Sequence, residues 1–92
     1  MKNERAFDMW RRGEVTLAEL RGIGPQEMEA ARAAAGKLMR TGALRAAEEI
    51  LAGLALYDPF QSDVWRSLEE LYRRRGDLEP ARLFGDIGRA MT

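Results

Sequence analysis

Apolar residues recur three and four positions apart along most of the chain, the signature of helices with one buried stripe. Between Pro25 and Arg40 they fall at Met28, Ala31, Ala35, Leu38 and Met39, with Glu27, Arg32 and Lys37 elsewhere. Gly36 within this helix is a local cost, and a glycine there points to a close approach to the backbone. Thr41-Gly42-Ala43 reads as a turn. A second stripe follows at Leu44, Ala47, Leu51 and Leu54, with Ile50 alongside, and Asp58-Pro59 ends it because proline cannot continue a helix. A third helix, about Ser62 to Arg75, carries Val64, Trp65, Leu68, Leu71 and Tyr72. Gly76-Asp77 turns the chain, with Asp77 as cap of a last helix that presents Ala81, Phe84, Ile87 and Met91, with Leu83 beside them. Ahead of all this, residues 4–12 place Phe7, Met9 and Trp10 on a short amphipathic helix that breaks near Gly13. Thr16-Leu17-Ala18-Glu19 fits a capping box opening a brief helix that Gly22 and Gly24 end, and Pro25 suits the first position of the next.

The stretch from Met28 to Met91 repeats itself at a shift of 34 residues. Gly42 falls on Gly76, Leu44 on Leu78, Ala47 on Ala81, Leu38 on Tyr72, Ala34 on Leu68 and Ala31 on Trp65. That is the period of the tetratricopeptide repeat, a helix–turn–helix unit that stacks on its neighbours. The expected fold is all-α: an N-terminal helical segment over residues 1–24, then two tetratricopeptide-like repeats over about 25–59 and 60–92 forming a short α-solenoid. Gly85 and Gly88 fall where the repeat pattern expects a bulky and a small residue. A solenoid end needs a polar outer face, and Leu83, Phe84, Ile87 and Met91 cannot all pack inward unless something covers them. The expected cover is a second copy, a partner chain, or the N-terminal helix folded back.

Composition narrows the chemistry. Among 92 residues there is no cysteine and no histidine, which removes thiol chemistry, the usual general base near neutral pH and the commonest metal ligand. The carboxylates are scattered over solvated helix faces, so neither an enzyme nor a cofactor or metal site is expected. Fifteen basic residues balance 15 acidic ones, unlike the net basic surface of a nucleic-acid binder. Arg73-Arg74-Arg75 sits where a helix dipole favours cations, so its plain reading is a helix C-terminus, with a phosphate-binding patch as the alternative. No apolar run reaches the roughly 18–20 residues of a membrane span, and the N-terminus is too short and too charged for a signal peptide. A soluble cytoplasmic protein is expected.

In stacked repeats of this kind the first helix of each pair lines the concave side. The groove-facing positions are then Glu29, Arg32, Gly36, Met39 and Arg40 in the first repeat, and Asp63, Arg66, Glu70, Arg73 and Arg74 in the second. Gly36 and Met39 form an apolar dip rimmed by Arg32 and Arg66, suited to a peptide with one or two hydrophobic anchors and nearby acidic groups. These arginines equally suit pairing with Glu29, Asp63 and Glu70 for little net energy. Repeat proteins that clamp the carboxylate terminus of heat-shock chaperones use lysine and asparagine at set groove positions. Arg32, Gly36, Arg66 and Glu70 stand there instead, which disfavours that subtype.

The run from Gly13 to Ile23, with Thr16-Leu17, Leu20 and Gly22-Ile23, then Gly42, Tyr57-Asp58-Pro59, Trp65 and Leu68, resembles the class II chaperones of bacterial type III secretion. The resemblance covers about residues 13–91 and implies a cytoplasmic, nucleotide-independent chaperone holding a secreted, translocator-like protein or peptide client in its groove. That family has three repeats, whereas two are visible here. Its members often dimerise through the N-terminal region, which makes Phe7, Met9, Trp10, Leu17 and Leu20 candidates for a dimer contact. Leu83, Phe84, Ile87 and Met91 are candidates for a dimer or hetero-complex contact on the last helix. The alternative function is a small repeat adaptor or co-chaperone that acts only as a subunit of a hetero-complex.

Overall fold

A computed structural model describes Arg12 and residues 22–91. The helix expected over 4–12, the capping box at Thr16 and the rest of the N-terminal segment up to Arg21 lie outside the described residues. Among those described there is no strand, and four helices follow one another: α1 (Pro25–Arg40), α2 (Leu44–Tyr57), α3 (Ser62–Arg75) and α4 (Leu78–Ala90).

Their ends follow from local chemistry. Pro25 opens α1, and the Glu27 carboxylate accepts the free Gly24 N–H at 2.7 Å. Gly42 and Gly76 take left-handed φ values of 84° and 83°, open to glycine without a Cβ clash. Each lets the next residue reach back over the helix end: Ala43 N–H donates to Leu38 C=O at 2.8 Å, and Asp77 N–H to Tyr72 C=O at 2.9 Å. Gly42 N–H to Met39 C=O and Gly76 N–H to Arg73 C=O complete the same pair of bonds at 3.1 and 3.0 Å. The two turns therefore match bond for bond at the sequence period. Before Pro59, Asp58 is extended, and its carboxylate accepts Phe60 N–H at 3.1 Å and the Gln61 amide at 3.0 Å.

Asp77 stands at the N-cap of α4 but its side chain accepts no capping bond. An N-cap carboxylate accepts a hydrogen bond from the second or third helical N–H, and the third residue of α4 is Pro80, which has no N–H to donate.

One apolar cluster runs through the first three helices: Met28, Ala35 and Met39 of α1, Ala47, Leu51 and Leu54 of α2, and Val64, Leu68 and Leu71 of α3. Fully enclosed side chains such as Leu51, Leu71 and Val64 each contribute about 1.5–3 kcal/mol of burial. The second helix of each hairpin buries equivalent positions, Ala47, Leu51 and Leu54 against Ala81, Gly85 and Gly88. The first helices do not: Ala34 faces solvent while its counterpart Leu68 is 3% exposed. The reason is packing, since α3 has both α2 and α4 against it whereas α1 has α2, so α3 must be apolar around more of its circumference.

Gly85 and Gly88 are where α4 meets α3. A Cβ at Gly85 would overlap the Glu69 carboxylate, and one at Gly88 would lie 3.1 Å from Cγ of Arg66. The bulky contact comes instead from Phe84, half-buried against Trp65 and Tyr72 at ring separations of 5.8 and 5.3 Å. Ile87 is half-buried, while Leu83 and Met91 are exposed.

Candidate functional site

A cavity of about 360 Å³ opens between α1 and α3 with Leu51 of α2 beneath it. Six of the residues expected in a groove line it: Glu29, Arg32, Gly36, Met39, Arg40 and Asp63. Its apolar lining is Ala33, Ala35, Gly36, Met39, Leu51 and Val64.

Gly36 has no close neighbour other than the Arg40 guanidinium, 3.5 Å from where a Cβ would stand. The expected close approach is replaced by open space, and the missing side chain widens the groove.

Arg66, Glu70, Arg73 and Arg74 do not line this cavity. The stem of Arg66 packs toward Gly88, Arg73 pairs with Glu69 at 2.9 Å, and Glu70 pairs with Arg74 at 3.6 Å. At about 100° per residue, the face of α3 that carries Asp63 also carries Ser67 one turn later, while Arg66 and Arg73 turn toward α4. The rim expected from Arg32 and Arg66 is thus built by Arg32 and Arg40. Ser67 lines the cavity without having been singled out from sequence, although the same i, i+4 count from Asp63 would have reached it.

The charges of the groove are unevenly engaged. Arg32 is held by Glu29 at 2.7 Å, Asp63 at 3.5 Å and the Gln61 side-chain oxygen at 3.3 Å. The Glu29 hydrogen bond, with the nearby Asp63 charge, raises the Arg32 pKa against the opposing effect of burial. Arg74 caps the end of α1 by donating to the Met39 carbonyl at 2.6 Å. Arg40 is exposed and has no carboxylate partner among the described residues.

A second cleft, about 380 Å³, lies where α2, α3 and α4 meet and is almost wholly apolar. Leu56, Pro59, Trp65, Leu68, Tyr72 and Phe84 form its walls. The Trp65 indole donates to the Pro59 carbonyl at 2.8 Å, which fixes the ring. At its edge the Tyr72 hydroxyl donates to Glu48, and Arg75 donates to the other Glu48 oxygen at 2.9 Å while lying over the Tyr72 ring. The Tyr72 bond, then Arg75, holds the Glu48 carboxyl below its ordinary pKa; the same bond, then burial, pushes the Tyr72 phenol up. Nothing in the periodicity foretold this cleft, whose walls come from three helices.

A third cleft, between α3 and α4, is lined by Glu69, Arg73, Arg82 and Arg89 with Leu78 and Ala81. Arg89 pairs with Asp86 at 2.9 Å and Glu69 at 3.4 Å. Of the interface candidates, Phe84 belongs to the apolar cleft and Leu83 and Met91 are exposed. Phe7, Met9, Trp10, Leu17 and Leu20 lie outside the described residues. Leu56 and Phe60, each 68% exposed, are larger apolar exposures than Leu83 or Met91, and neither was expected from sequence as a contact.

Among the described residues no group of His, Cys, Asp or Glu could hold a metal ion, and no helix is long and apolar enough to cross a membrane. Comparison with protein-family models, curated proteins and solved structures finds no match to the chain.

Proposed function

We infer that this is a protein-binding module built from two tetratricopeptide-like repeats, which holds a peptide segment of a client in the groove between α1 and α3. The matched turns at Gly42 and Gly76 and the equivalent buried positions of α2 and α4 support the repeat reading. The observation that carries the binding reading is the cavity itself, with an apolar floor at Ala35, Met39, Leu51 and Val64 under a charged rim. Such a surface takes an apolar anchor and orients it by polar contacts at the edge. The resemblance to type III secretion chaperones makes a secreted, aggregation-prone subunit, held in the cytoplasm before export, the client class to test first.

Gly36→Leu is the discriminating variant. It removes a helix-interior glycine, worth about 0.5–1 kcal/mol of helix stability, and fills the groove with a side chain. Peptides selected from a displayed random library against the wild-type chain should lose binding to this variant at least tenfold, with its helical circular dichroism retained. Selected peptides that bind Gly36→Leu as tightly as the wild type would remove the groove as the site.

A second reading, the adaptor held in a hetero-complex, is favoured by the apolar cleft and the exposed Leu56, Phe60 and Leu83 around α2 and α4. Charged substitutions at Leu56 and Leu83 would then abolish complex formation while Gly36→Leu leaves it intact.

A further inference from the structure

The two ends of the α1–α3 groove differ in what they offer a ligand. At one end Arg32 is already satisfied by Glu29, Asp63 and Gln61. An incoming carboxylate there would compete with two acids for the cation they share. At the other end Arg40 lines the cavity, lies over Gly36 and has no carboxylate partner among the described residues. Arg74, bonded to the Met39 carbonyl, adds a second cation to that end, with Glu70 3.6 Å from it. Between the two ends the floor is apolar, at Gly36, Met39 and Leu51.

Resting on the peptide-binding reading, we propose that the groove selects polarised segments: an aliphatic side chain seated over Gly36 and Met39, with an aspartate or glutamate of the partner paired to Arg40. The Arg40 guanidinium reaches back to within 3.5 Å of where a Gly36 Cβ would stand, so the acid belongs beside the apolar anchor. Successive side chains of an extended peptide point to opposite faces, so the nearest neighbour on the groove side is two positions from the anchor. The fixed acids Glu29 and Asp63 at the opposite end repel a carboxylate there, which sets the direction in which the segment lies.

The test is selection of a displayed random dodecapeptide library on the wild type, on Arg40→Glu and on Gly36→Leu, each checked for retained helicity. Wild-type binders should be enriched in an acid two positions from Leu, Ile or Val. Arg40→Glu should select lysine or arginine at that place. Replacing the acid of a wild-type binder by its amide should weaken it about threefold to fivefold at low salt, as expected for one exposed ion pair, and less at high salt. Binders that Gly36→Leu abolishes, but that show no acidic preference and no change on Arg40→Glu, would overturn the charge rule and leave the peptide-binding reading standing. Selection that yields no binder sensitive to Gly36→Leu would overturn both.

Discussion

Glycines separate three physical situations in this chain. At Gly53, inside α2, an added Cβ would meet nothing within 4 Å, and the backbone is helical. Gly53→Ala should therefore stabilise the protein by about 0.4–1 kcal/mol, through helix propensity and a less free unfolded chain. Gly76 also has open space around it, but its φ of 83° penalises any L side chain. Gly76→Ala should destabilise by about 1–2 kcal/mol despite the absence of a clash. Urea midpoints of the two variants should move in opposite directions, and a shared direction would show that backbone conformation is not what distinguishes them. At Gly85 the constraint is a neighbour, since a Cβ would run into the Glu69 carboxylate that Arg73 and Arg89 hold.

Helices α2 and α3 are tied at one end by Glu48, Tyr72 and Arg75. The Glu48 pKa is lowered on folding, so its contribution is present above the ordinary carboxyl pKa and fades as pH falls through the lower folded one. The Tyr72 pKa is raised, so its contribution holds up to about pH 10, the ordinary phenol value, and fades as pH rises through the folded pKa. Tyr72→Phe should cost about 1–2 kcal/mol at neutral pH, remove the alkaline loss that Tyr72 causes, and shrink the acid one to what Arg75 sustains. Denaturation midpoints at acid, neutral and alkaline pH check this, and an unchanged alkaline limb would refute the assignment. Arg73, Arg74 and Arg75, read from sequence as one basic run, are put to three uses: a pair with Glu69, a cap on the Met39 carbonyl, and the bond to Glu48.

Across the described residues, the apolar cluster makes the two hairpins interdependent, because Val64, Leu68 and Leu71 of α3 pack with residues of α1 and α2. Leu68→Ala should cost about 2–5 kcal/mol and should also loosen the coupling between hairpins. Native-state hydrogen exchange should then show α1 and α2 opening at lower free energy than α3 and α4. Uniform weakening of all four helices would mean that the hairpins unfold as one unit regardless of this contact.

Helix limits, both glycine turns and the stop at Asp58-Pro59 were legible in the sequence, since i to i−4 bonding, left-handed glycine and proline's fixed φ act over a few residues. So were six residues of the groove, because one helix face can be counted off at 100° per residue. What only the tertiary structure decided is how each helix is rolled about its axis. That roll took Arg66 and Arg73 out of the groove, brought Ser67 in, and assembled the apolar cleft from α2, α3 and α4. It also decided which arginines find acids and which one, Arg40, is left facing the cavity. Those outcomes depend on contacts between residues far apart in the chain, whose packing and charge pairing no local periodicity encodes.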